Sequence, residues 1–255
     1  MRITRAVVPS LFTVLNIVSG FLSIVNASRG EIQMAAWFII LAGVFDSLDG
    51  VMARITKSSS QFGVELDSLA DVVSFGAAPS YMIYQAHLQT LGTLGLIISA
   101  MPLVLGAIRL ARFNVQLVGF DKDYFKGLPI PFQAVTLCAF MLQFYSEDYG
   151  LNGLAQSALA PMVVLLSVLM VSNIRYSTLP KFSRRAIKAH PLRVGMFVLA
   201  AVLIIASMGK LLFAVLMTFL LYGVVRSGVE GVRRALSGTE EEEQDEEHEV
   251  SSIDI

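Results

Sequence analysis

Four aspartates stand at two helical spacings in the first third of the chain. The segment reads Asp46-Ser-Leu-Asp49-Gly50-Val-Met-Ala53-Arg54, then runs on through Gly63 to Asp67 and Asp71. Asp46 and Asp49 are three residues apart, and Asp67 and Asp71 four apart, so each pair shares one face of a helix. Glu65 is two residues before Asp67 and points elsewhere. The connection 55–63 is short and holds Ser58, Ser59, Ser60 and Gly63. It makes the two helices antiparallel neighbours, so the pairs face each other. Carboxylates gathered in a low dielectric repel one another, and divalent cations remove that problem. Hard oxygen ligands suit Mg²⁺ or Mn²⁺, and two such ions about 3.5–4 Å apart clamp displacements at phosphorus. Gly50 and Ala53 are small and let a ligand approach the backbone. Arg54 is a planar cation suited to phosphate oxygens. A cation transporter is the rival from another class. It predicts acids spread through the membrane depth, whereas these cluster at one face.

The elements that position these groups are membrane helices. Of 255 residues 55% are hydrophobic and 15% charged, against about 25% charged in an average soluble domain. The reading is all-α: a polytopic transmembrane bundle of about eight helices, near 7–27, 32–54, 64–86, 93–111, 128–146, 154–174, 194–206 and 211–225. Residues 1–180 form a six-helix catalytic core. Residues 181–237 form a basic loop and a C-terminal helical hairpin, and 238–255 an acidic, solvated tail. The run from Val7 is long enough to span, so it reads as a retained helix, not a signal peptide. Gly20 and Gly43 are candidates for close helix approach.

Charge sets the orientation. The tail from residue 239 carries nine acids, leaving 11 acids against 19 bases and a body of net +8. Bases gather at Arg2 and Arg5, at Arg54 and Lys57, at Arg109, Arg112, Lys122 and Lys126, at 175–193, and at Arg226, Arg233 and Arg234. The intervening loops are poor in them. By the positive-inside rule both termini and the aspartates lie on the cytoplasmic side of the cell membrane. The basic 175–193 loop, His190 included, suits anionic lipid headgroups. Cys138 reads as packing, His87 as an external surface residue, and Trp37 as a lipid-facing or packing group. No P-loop, Rossmann fingerprint or basic-aromatic stripe appears, so no nucleic-acid partner is expected.

The pattern D-x2-D-G-x2-A-R-x8-G-x3-D-x3-D resembles the signature of the CDP-alcohol phosphotransferase family at every fixed position. Outside it, VPSLFTVLNIVSGF (8–21), RLARFNV (109–115), FKGLPIPFQA (125–134) and LMVSNIRYSTLPK (169–181) resemble the membrane-embedded phosphatidylserine synthase branch. Ser10 stands where that branch often has Asn. The resemblance implies that Asp46, Asp49 and Asp67 bind a pair of divalent cations with Asp71 beside them. It implies that Asp71 is the general base, and that Gly50, Arg54 and Ser60 contact the CDP of the donor, with Pro9 to Phe12 aligned to a donor-contacting stretch. It also implies CDP-diacylglycerol as donor, L-serine as acceptor, and a homodimer. Serine needs a cation for its carboxylate. Arg109 and Arg112, three residues apart at the end of helix 4, are the candidates for a bidentate fork. Lys126 is a further candidate near the phosphates. Glycerol 3-phosphate or inositol are the alternative acceptors.

Overall fold

Apolar chain in lipid must satisfy its backbone internally, which helices do, and the bundle is built almost wholly of them. The computed structural model describes residues 4–56, 61–116, 124–172, 174–177 and 211–228. Helix α1 (Thr4–Ser28) turns through Gly30, at φ 85°, into α2 (Ile32–Thr56). Next comes one continuous rod. It comprises α3 (Gln61–Asp71), a π-helical turn (Val72–Ala77) and α4 (Ala78–Ala86). After a short 3-10 turn follow α5 (Gly92–Gln116), strand β1 (Tyr124–Lys126) and α6 (Ile130–Phe144). Strands β2 (Tyr145–Ser146) and β3 (Gly150–Leu151) make a tight hairpin before α7 (Gly153–Val171), strand β4 (Arg175–Ser177) and helix α8 (Leu212–Gly228).

Four stretches are long and apolar enough to cross a membrane: Leu11–Ser28, Ile32–Met52, Leu88–Val115 and Gly153–Val171. The chain is a multi-pass membrane protein. Seven of the eight expected helices correspond to observed ones. The expected helix at 194–206, most of the basic loop and the acidic tail lie outside the described residues. The expected 64–86 helix starts at Gln61 and carries the π turn, which no periodicity announced. Two short strand pairs are additions to the all-α expectation.

The interhelical core is apolar, with Ile39, Phe75, Met82, Leu137, Met141 and Leu166 fully buried. Cys138 is buried among them, as expected of a packing residue. Phe21, Trp37, Leu94 and Ile97 point outward, where lipid is the solvent. At the end of the bundle remote from the aspartates, Gln33 N donates to Glu147 Oε1 at 2.9 Å and Gln33 Nε2 to the Tyr145 carbonyl at 2.9 Å. The Glu147 carboxylate thereby meets the positive end of the α2 dipole.

Of the two glycines expected to allow close approach, one does. A Cβ on Gly20 would stand 2.8 Å from Ser74 Cα on the π turn. On Gly43 it would meet only the Phe75 ring edge, at 3.8 Å, an ordinary contact. Gly43→Ala is therefore expected to be neutral or to raise the melting temperature slightly, since Ala is the better helix former. Gly20→Ala is expected to destabilise by about 1–3 kcal/mol through overpacking. Thermal melts of the two variants in detergent check the contrast, and equal melting temperatures would refute it.

A second tie joins the end of the bundle where the chain passes from α5 to α6 and out of α7. Strand β1 pairs antiparallel with β4, Phe125 opposite Tyr176. Gly127 N then donates to the Ile174 carbonyl at 2.9 Å and Leu128 N to the Leu169 carbonyl at 3.0 Å. Gly127 sits at φ 79° and a Cβ there would collide with the Met170 carbonyl, so only glycine serves at this crossing.

Candidate active site

Helix geometry brings the acids together as their spacing required. Asp46 and Asp49 lie on the last turns of α2, and Asp67 and Asp71 on α3. Carboxylate oxygens of Asp46, Asp67 and Asp71 all lie within 4.8 Å of one another. At that distance each like-charged pair costs about 3 kcal/mol or more at an effective dielectric of ~20. Asp49 is placed differently. Its Oδ2 accepts from Thr13 Oγ1 on α1, and it is not one of the three-acid group. Glu65 is exposed, as its offset from Asp67 predicts.

These groups are short of partners. Asp49 Oδ1 and Asp71 Oδ1 are buried and receive no hydrogen bond, although the residues are only 8% and 9% exposed. A converging set of hard oxygens with unused lone pairs fits a divalent cation such as Mg²⁺ or Mn²⁺, so the residues present suit the group that the acidic cluster requires.

α1 supplies the opposite wall. Thr13 and Asn16 share a face three residues apart. Asn16 is fully buried, and its carboxamide lies against Asp71 without reaching hydrogen-bond geometry, so Nδ2 and Oδ1 are both unpartnered. The Asn16 backbone is held by Ser74 Oγ, which donates to its carbonyl at 2.9 Å. Asp71 itself is the last residue of α3, directly before the π turn. Such wide turns are rare and recur at functional sites.

The two arginines of α5 part company. Arg109 is an electrostatic neighbour of Asp71, and its buried Nε has no partner. Arg112 Nη1 donates to the Val171 carbonyl at 3.3 Å, filling an otherwise orphaned acceptor at the end of α7. Asn114 Nδ2 donates to Ser68 Oγ at 2.9 Å and ties the end of α5 to α3. Gly50 is exposed on α2 beside Asp49. The side chains of Ala53, Arg54 and Lys126, and all of Ser60, lie outside the described residues.

Thr13 and Asn16 meet the acidic centre without being announced by the aspartate motif. One signal was available. Thr13, Asn16, Ser19, Ser23 and Asn26 recur every three or four residues through an otherwise apolar run, and all five are buried.

A helical membrane bundle with this acidic centre defines a class. Residues 6–172 match the family model described as CDP-alcohol phosphatidyltransferase, and the chain belongs to that family. Within it, the chain is 43% identical over 175 residues to the CDP-diacylglycerol–serine O-phosphatidyltransferase of Helicobacter pylori, covering 68% of this chain and 73% of that protein. It is 41% identical over 171 residues to the archaetidylserine synthase of Methanothermobacter thermautotrophicus, covering 66% and 68%. It is 35% identical over 216 residues to the CDP-diacylglycerol–serine O-phosphatidyltransferase of Methanocaldococcus jannaschii, covering 84% and 90%.

Proposed function

We propose that this enzyme transfers the phosphatidyl group of CDP-diacylglycerol to the hydroxyl of L-serine, giving phosphatidylserine and CMP, at the cytoplasmic face of the cell membrane. The observation that carries the reading is the convergence of Asp46, Asp67 and Asp71 within 4.8 Å, in a chain whose relatives carry serine in their names. Asp46, Asp49, Asp67 and Asp71 hold two divalent cations, Mg²⁺ or Mn²⁺. When bound, such ions neutralise pyrophosphate charge.

The chain's own groups account for the rest. Gly50, Ala53, Arg54 and Ser60 receive the CDP moiety, and Lys126 approaches the phosphates. Asp71 takes the proton of the serine hydroxyl. The serine oxygen forms a bond to the lipid-side phosphorus as the bond to the bridging oxygen breaks, and CMP departs with that electron pair. Arg109 pairs the serine carboxylate. Its free Nε and its position as an electrostatic neighbour of Asp71 favour it over Arg112, one of whose donors is used on Val171. The enzyme works as a homodimer, as the enzymes it resembles often do.

Purified protein with CDP-diacylglycerol, a divalent cation and a panel of labelled alcohols tests the reading, with CMP release and labelled lipid as readouts. Serine is expected to be the preferred acceptor. Equal or better transfer to glycerol 3-phosphate or inositol overturns it. The same assay separates the arginines. Arg109→Ala is expected to raise KM for serine by roughly 10–100-fold, the loss of a charge-assisted pair. Arg112→Ala is expected to act mainly on thermal stability.

A further inference from the structure

We infer that Asn16 is a specificity-determining residue whose buried carboxamide oxygen receives the ammonium group of the acceptor. The inference rests on the reading of serine as that acceptor. A carboxamide carries two N–H donors and an acceptor oxygen, and buried polar groups are nearly always paired. Asn16 is fully buried with neither end paired.

The backbone that carries the side chain is fixed in place. Ser74 holds the Asn16 carbonyl at 2.9 Å. Gly20, one turn further along α1, packs directly on Ser74. Asn16 therefore stays against Asp71, whose Oδ1 is also unpartnered, and Arg109, with a free Nε, is an electrostatic neighbour of the same carboxylate.

The three unpaired groups match one kind of molecule. A carboxylate that accepts a proton suits a hydroxyl. A guanidinium suits a carboxylate. A neutral amide oxygen suits an ammonium, and unlike another carboxylate it adds no charge to an already crowded acidic centre. Thr13, on the same face of α1, is engaged with Asp49, which leaves Asn16 as the residue of that wall free to meet the acceptor.

The test compares L-serine with β-hydroxypropanoate, which is serine without its amino group, in the purified full-length enzyme with CDP-diacylglycerol. KM is read for serine and Ki against serine for the analogue. Asn16→Ala is expected to raise KM for serine roughly tenfold or more while moving Ki for the analogue less than about threefold. Asn16→Asp, which keeps an acceptor oxygen in place, is expected to retain the preference for serine over the analogue. If Asn16→Ala does not fold, Asn16→Val, which also lacks a polar side-chain atom, takes its place with the same expectation. Equal losses for both compounds, an unchanged KM for serine, or a wild-type enzyme that binds both alike would overturn the proposal alone. A wild-type enzyme that transfers to another alcohol and not to serine would overturn the serine reading, and this inference with it.

Discussion

Asp71→Asn is expected to lower kcat for CMP release by roughly 10²–10⁴-fold, the range that a positioned general base contributes. The substitution keeps the shape and one oxygen of the side chain but removes its ability to take a proton. The Asp71 carboxylate is almost closed off from the surroundings and has an unused Oδ1. It also lies where α1, α3 and α5 converge, beside Asn16 and with Arg109 as an electrostatic neighbour. Asp71 also stands among the carboxylates assigned to the cations, so KM for CDP-diacylglycerol is expected to rise, but by less than kcat falls. Initial rates across donor and serine concentrations separate the two effects. Turnover near that of the wild type would remove Asp71 as the base.

Chelation is expected to abolish CMP release essentially completely, with full return on adding Mg²⁺ or Mn²⁺. Repulsion among the carboxylates is the cause. Three carboxylates within 4.8 Å hold together at neutral pH only if a cation sits among them or if protons replace it. Two signs follow for stability. Added cation should raise the melting temperature with the logarithm of its concentration above Kd, worth about 2.7 kcal/mol at a hundredfold excess. In chelator, Asp67→Asn should melt above the wild type, because it relieves the repulsions with both Asp46 and Asp71, even though the variant is inactive when metal is restored. Such opposition between stability and activity is usual for residues held in place for chemistry. Full activity in chelator, or a wild type that melts identically with and without cation, would contradict this account.

The acidic centre was legible in the sequence because helix geometry is local. Spacings of three and four fix which face Asp46, Asp49, Asp67 and Asp71 occupy, and a short connection fixes the antiparallel approach. What the spacing could not separate was the lesser engagement of Asp49, which depends on Thr13 reaching across from α1. Arg109 and Arg112 looked equivalent for the same reason. Their difference arises from the end of α7, nearly sixty residues further along the chain. Gly20 and Gly43 were indistinguishable by type, and only the position of Ser74 makes one of them indispensable. The β1–β4 pairing joins segments about fifty residues apart, and strands of three residues leave almost no periodic trace. The polar stripe of α1 was visible in the letters. Thr, Asn and Ser at that spacing are also common in helix packing, so the stripe by itself does not mark a site.

The π turn between Asp71 and Ala78 carries a further consequence. It accommodates one residue more than an α-helical path would, and each residue of an α-helix advances the azimuth by about 100°. The half of the rod bearing Asp67 and Asp71 is therefore rotated relative to the half bearing Met82 and Ile83, which is locked into the apolar core. The aim of the carboxylates and the anchoring of the rod are thus set by separate parts of one helix. A single-codon deletion anywhere in 72–77 would let the rod relax to the lower-energy coil, leave every catalytic side chain in the protein, and swing the acidic pair away from its counterparts on α2.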